Sequence, residues 1–298
     1  MEIPVLPIEW EHFVPRHVPP YVEVDGELEL VEAHFEMCDH EHVYPLLFEG
    51  PPGVGKTLCF AAFAARKKIP IIQADLSEDV RRANLIGKFV VVGNEVYFSL
   101  GVLPAAIEVA NQAGGAVLVL EEISACPPRM QKLINQLLDW RFQVYVDEIG
   151  RVFRLRKGAK LLVGATTNPA IWGGTWELNP DLRARFYVKR FDYPPADKEK
   201  EILERYGVHN SELVDRLITL ATETRAALRD GQLSTALSPR DLVQVALAYT
   251  NYVHRGMDER KALSTALRVA VLGKYEEDVE RRFVARRIES IFGVRVPC

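Results

Sequence analysis

The residues best equipped for chemistry lie in one short stretch, Gly50-Pro51-Pro52-Gly53-Val54-Gly55-Lys56-Thr57. It matches the spacing G-x-x-x-x-G-K-[ST] at every fixed position. Glycines let the backbone turn tightly and aim its N–H groups into a concavity that suits phosphate oxygens. The Lys56 ammonium can reach the β- and γ-phosphates, and the Thr57 hydroxyl can ligate Mg²⁺. The nucleotide-binding set read from this stretch is Gly50, Pro51, Pro52, Gly53, Val54, Gly55, Lys56 and Thr57, with Leu58 behind it.

Other polar residues stand where such a loop would need them. The apolar run Ala116-Val117-Leu118-Val119-Leu120 ends in Glu121 and Glu122. An acid at a strand's C-terminal end can hold Mg²⁺ or its water, and the next can activate an attacking water. This assigns Glu121 to the metal with Thr57, and Glu122 to catalysis. A second buried run, Leu161 to Thr166, delivers Thr167-Asn168-Pro169, which makes Asn168 a candidate for orienting that water. Arg183 and Arg185 precede another strand. They are either solvated cations or fingers for a neighbouring subunit's γ-phosphate. Ser238-Pro239-Arg240-Asp241 reads as a helix start, with Ser238 as cap, Pro239 at N1 and Asp241 at N3. Arg240 then opposes the helix dipole unless an anion faces it, and a nucleotide phosphate is such an anion.

The elements that must position these side chains follow from periodicity. Tyr44 to Glu49 reads as a strand and Leu58 to Lys67 as a helix whose positive end faces the loop. Ile69 to Ile72 is a second strand. Residues 88–98, turning at Gly93-Asn94, and 142–155, turning around Asp147 to Gly150, read as hairpins. Helices are expected over Glu27–Phe35, Pro104–Asn111 and Pro127–Trp140, with a last strand from Phe186 to Phe191. Beyond Pro194-Pro195 only helical patterns appear, over 197–206, 211–229, 239–255, 258–272 and 276–291. The expected organisation is an extended Pro-rich arm (1–26), an α/β core (27–193) and an all-α lid (194–298).

Bulk properties bound the function. A chain of 298 residues, 48% hydrophobic and 26% charged, buries a sizeable core. A net charge of −4 gives no general argument for a nucleic-acid or membrane surface. Cys38, Cys59, Cys126 and Cys298 are scattered, as free thiols in a reducing compartment are. The N-terminus lacks a signal-peptide pattern and no apolar run reaches membrane-spanning length, so a cytoplasmic protein is expected. The segment Cys38-Asp39-His40-Glu41-His42 crowds ligand-type residues, but its spacing is not that of a zinc site, and a polar connection explains it better.

Taken together, GPPGVGKT, Leu85-Ile86-Gly87, Ser99 to Pro104, LVLEEI, ATTNP, LRARF, Phe191 to Pro195 and LSPRD resemble an AAA+ ATPase of the MoxR group, within it the CbbQ/NorQ/NirQ branch. The resemblance spans roughly residues 20–250. It implies an α/β P-loop core of three αβα layers, with a mostly parallel five-stranded sheet, two inserted β-hairpins and a following all-α lid. It makes Lys56 and Thr57 Walker A residues, Glu121 and Glu122 Walker B, Asn168 sensor 1, Arg183 or Arg185 the arginine finger and Arg240 sensor 2. It implies ATP and Mg²⁺, a homo-oligomer (a hexameric ring), remodelling of a protein client, and a partner with a von Willebrand factor A domain. One departure stands out: the group ends this strand Asp-Glu, and here it is Glu121-Glu122. A DNA-remodelling AAA+ protein is a competing reading, resting on Arg81, Arg82, Lys88, Arg151, Arg154, Arg156, Lys157 and Lys160 near the hairpins. A phosphotransferase on the same loop is a third, disfavoured by the paired arginines and the all-helical lid.

Overall fold

A computed structural model describes residues 3–139, 141–168 and 178–297; Trp140, Pro169 and Cys298, named above as a helix end, the residue after Asn168 and a free thiol, lie outside them. In chain order the elements are α1 (Glu27–Met37), β1 (Leu46–Glu49), α2 (Lys56–Lys67), β2 (Ile71–Asp75), α3 (Arg82–Leu85), β3 (Gly87–Val92), β4 (Glu95–Leu100), α4 (Val102–Ala113) and β5 (Gly115–Glu121). Then come α5 (Pro128–Leu138), β6 (Gln143–Val146), β7 (Arg151–Arg154), β8 (Lys160–Thr167), α6 (Pro180–Arg183) and β9 (Tyr187–Arg190). The C-terminal part holds α7 (Ala196–Arg205), α8 (Ser211–Arg229), α9 (Pro239–His254), α10 (Glu259–Ala270) and α11 (Asp278–Phe292).

Five strands form one sheet in the order β2-β5-β8-β1-β9, and every pairing is parallel. The continuous apolar runs of β5 and β8 follow from this, because a strand covered on both faces has no solvent side. Successive side chains alternate between the faces. Leu46, Phe48, Val117, Val119 and Leu162 join Val31 and Phe35 of α1 and Phe60 and Phe63 of α2 in one core. Leu47, Leu118, Leu120, Leu161 and Val163 join Leu103 and Ile107 of α4 and Ile134 and Leu137 of α5 in the other. The result is three layers, helices on sheet on helices. Gly164, central on β8, has no room for a side chain: a Cβ there would sit 2.5 Å from the Phe60 ring.

Two antiparallel hairpins stand apart from this sheet, β3–β4 and β6–β7. The first exposes Phe89, Val91, Val92 and Val96. The N-terminal arm does more than lie on the surface. Val5 bridges to Phe98, with Leu6 N–H donating to the Phe98 carbonyl and Phe98 N–H to that of Pro4. Cys38 is buried and its thiol is pushed up to about 11 by burial, whereas His42 pairs with Asp39. Among the described residues no three or more of His, Cys, Asp and Glu gather as ligands of one metal ion. The Cys38–His42 segment lies between α1 and β1.

The chain divides into two compact units: Met1–Gly50 with Gly55–Phe191, and Pro51–Val54 with Asp192–Cys298. The second has its own core, in which Leu217, Leu220, Leu242, Leu267, Tyr275, Val284 and Ile288 are buried.

Candidate nucleotide site

The first unit brings together Lys56, Thr57, Glu121, Glu122 and Asn168. Strand β1 ends at Glu49, and α2 starts at Lys56. Between them Gly53 and Gly55 have φ of 78° and 101°, a region that side chains rarely adopt, so the turn needs glycine at both. Lys56 is buried at the first position of α2, and its Nζ donates to the Gly50 carbonyl at 2.8 Å. It also donates to Asn168 Oδ1 at 2.9 Å. The Asn168 amide in turn donates to both oxygens of Glu122, at 2.8 and 2.9 Å. Asn168 thus bridges the loop lysine and the second glutamate, using its carbonyl for one and its amide for the other.

Thr57 Oγ1 donates to Glu121 Oε2 at 2.9 Å, so the two side chains assigned to the metal meet. Glu121 ends β5 beside Asp75, its register partner on β2, and Gln73 Nε2 donates to Glu121 Oε1 at 3.3 Å. Thr57 and Gln73 grip the longer glutamate from both sides. An all-oxygen donor set of hydroxyl and carboxylate fits a hard cation such as Mg²⁺.

The strand stops at Glu121, and Glu122 adopts φ 53° and ψ 45°. A left-handed glutamate is a strained conformation of the kind concentrated at functional sites. Its N–H donates to Thr166 Oγ1 at 3.3 Å, and Thr167 Oγ1 donates to Ser124 Oγ at 2.7 Å. Burial raises the Glu122 carboxyl above the ordinary carboxylate range; Lys56 and Asn168 oppose the rise, and the charges of Asp75 and Glu121 add to it.

The two arginines have different surroundings. Arg183 donates to both oxygens of Glu49, at 3.1 and 3.2 Å, closing a fork on the residue before the loop. Arg185 donates from Nη1 to the Leu138 carbonyl at 3.3 Å, and its buried Nε has no hydrogen-bond partner among the described residues. In the second unit Arg240 is exposed at the start of α9. The loop tip belongs to the same unit: a Cβ on Gly53 would lie 2.3 Å from Ser238 Oγ and 3.4 Å from Arg240 Cβ. Ser238 and Asp241 form the capping box expected of this helix, although Asp241 is also held by Lys274.

Sequence reasoning did not find Gln73, Asp75, Glu49 or Thr166. The signal for Gln73 and Asp75 was their place near the C-terminal end of a strand, where open parallel sheets gather their ligands. Glu49 and Thr166 are contacts across the chain that no local pattern announces.

A parallel sheet in this order, with a phosphate loop, paired glutamates and an asparagine at adjacent strand ends, defines a P-loop protein of the AAA+ class. Residues 45–186 match the family model described as AAA domain (dynein-related subfamily), and residues 199–282 match CbbQ/NirQ/NorQ C-terminal. The chain belongs to the MoxR-type AAA+ ATPases, with the CbbQ, NirQ and NorQ proteins. It is 28% identical over 253 residues to the denitrification regulatory protein NirQ of Pseudomonas aeruginosa, covering 85% of this chain and 91% of that one. To the aerobic cobaltochelatase subunit CobS of a Sinorhizobium species it is 27% identical, covering 86% and 77%. The RuvB Holliday junction branch migration motor of Thermotoga maritima shares the fold, with a TM-score of 0.50 at 15% identity over 96% of this chain and 81% of that one. No helix among the described residues is long and apolar enough to cross a membrane.

Proposed function

We propose that the protein hydrolyses ATP within a ring of its own copies, a hexamer by family resemblance, and uses the cycle to activate or assemble a partner enzyme. The observation that carries this reading is the Lys56–Asn168–Glu122 chain of hydrogen bonds. It links a phosphate-binding cation to a carboxylate of raised pKa, as a hydrolytic site requires.

The loop backbone and Lys56 hold the β- and γ-phosphates. Thr57 and Glu121 hold Mg²⁺, which when bound neutralises charge developing on the phosphate oxygens. Glu122 takes the proton of the attacking water, and Asn168 fixes that carboxylate by both oxygens. A γ-phosphate competes with Asn168 for Lys56, which frees the asparagine to orient water. Arg185 rather than Arg183 serves the neighbouring subunit's site, because Arg183 is engaged by Glu49 in its own chain. Arg240 senses the nucleotide. The partner class is taken from the relatives: one is named as a regulatory protein and one as a chelatase subunit. A partner with a von Willebrand factor A domain and a cytoplasmic location complete the proposal. Of the cations on which a DNA-remodelling reading rests, Arg82 is clipped to Asp147 and Glu148 and Lys160 to Glu36, which engages these two within the chain.

The test is Glu122→Gln, assayed for nucleotide binding and for phosphate release. ATP binding is retained and turnover falls about 10²-fold or more, the range expected for loss of a general base. Wild-type turnover in this variant overturns the proposal.

A further inference from the structure

A cluster in the second unit has no part in the chemistry described above. Arg225, one turn from the C-terminal end of α8, is 7% exposed and Glu199 of α7 is 1% exposed. The guanidinium donates to Glu199 from Nη1 at 3.1 Å and from Nη2 at 2.5 Å. Its Nε–H reaches the Leu237 carbonyl at 3.0 Å. Its flat face lies 4.2 Å from the centre of the Tyr193 ring. The same turn is pinned again by Leu237 N–H donating to Thr224 Oγ1 at 3.2 Å. One buried cation therefore holds three pieces of chain: α7, the 192–195 segment and the turn that leads into α9.

Leu237 is followed by Ser238, the cap of α9, and then by Arg240. Ser238 is also the residue against which Gly53 of the loop tip lies. Fixing the Leu237 carbonyl therefore fixes the first turn of α9, and with it the root of the Arg240 side chain. A buried pair is weak evidence for stability, since apolar residues of similar volume often replace it without loss. Stability alone does not explain why a charged fork, with a donor left over for one carbonyl, sits here.

We infer that Arg225 is a positioning residue that sets Arg240 toward the nucleotide's phosphates, with Glu199 and Tyr193 orienting its guanidinium. This rests on the proposed role of Arg240 and adds the element that aims it.

The experiment compares wild type, Arg240→Ala, the double variant Arg225→Met/Glu199→Met, and all three changes together. The readouts are ATP and ADP affinity by calorimetry and thermal unfolding. The double variant removes both charges, so no unpaired ion stays buried, and its Tm stays near the wild-type value. Its preference for ATP over ADP drops about fivefold, toward that of Arg240→Ala, within the range usual for coupled sites. Adding both changes to Arg240→Ala produces no further drop. An unchanged preference in the folded double variant contradicts the inference, as does an equal further loss in the Arg240→Ala background. If the double variant does not fold, Arg225→Lys decides. It keeps a charge opposite Glu199 but lacks the planar fork and the separate Nε–H that reaches Leu237, so the preference drops; an unchanged preference overturns the inference. Failure of the Arg240 reading looks different: Arg240→Ala then binds both nucleotides as wild type does.

Discussion

At the residue scale the account rests on Glu122. Its carboxyl is raised by burial, and a general base works only when deprotonated. The acid limb of turnover therefore lies above the ordinary glutamate value of about 4.3, and turnover rises with pH through it. Asn168 lowers this pKa by donating to both oxygens. Asn168→Ala moves the limb to higher pH as well as slowing turnover, and a pH–rate profile of the two proteins checks this. The same shift affects folding. Between the unfolded and folded pKa values the native state binds more protons, so stability falls as pH rises through that window. Glu122→Gln removes the cost, and its Tm at neutral pH exceeds that of wild type. That Lys56, Thr57, Glu121 and Glu122 gather at one place could be read from the sequence, because a motif and a strand end fix their positions locally. That Asn168 joins Lys56 to Glu122 could not, since the contact spans 112 residues and depends on β8 lying next to β1 and β5. Nor could the fork from Arg183 to Glu49, which separates two arginines that looked equivalent in the chain.

At the element scale the sheet is what places these groups. The ends of β1, β5 and β8 carry the loop, the glutamates and Asn168, and their parallel order puts all three at the C-terminal ends of adjacent central strands. Close packing of α2 on β8 holds this geometry, and Gly164 leaves no room for a side chain beside Phe60. Gly164→Ala forces the ring or the strand to move. It destabilises by about 1–3 kcal/mol, the usual effect of overpacking, and a shift of the urea midpoint measures it. Unbroken apolar runs made β5 and β8 readable in advance. The pairing of Val5 with Phe98 was not readable, because a proline-rich arm has no strand pattern of its own and borrows the edge of β4. The short helix α3 escaped notice for a related reason. Four residues are too few for a period, and the turn is set by Asn84 accepting from Arg81 N–H.

At the scale of the whole molecule, the chain divides into two units with separate cores, and residues Pro51–Val54 of the phosphate loop group with the second. The helical character of the C-terminal part was visible in the sequence, where strand patterns cease after Pro194-Pro195. The grouping of Pro51–Val54 with the helices was not, because it depends on Gly53 meeting Ser238. The proposed chemistry needs a second copy, since Arg185 is assigned to a neighbour's site. Turnover per subunit therefore falls on dilution below the assembly concentration, and Arg185→Ala binds ATP but hydrolyses it poorly. The most direct test mixes two inactive proteins, Glu122→Gln and Arg185→Ala, in equal amounts. In randomly mixed rings some sites combine an intact Glu122 with a neighbour's intact Arg185, and about a quarter of wild-type turnover returns. If the mixture stays as inactive as its parts while both variants assemble together, the site is not completed by a neighbour's Arg185 and the central claim is contradicted.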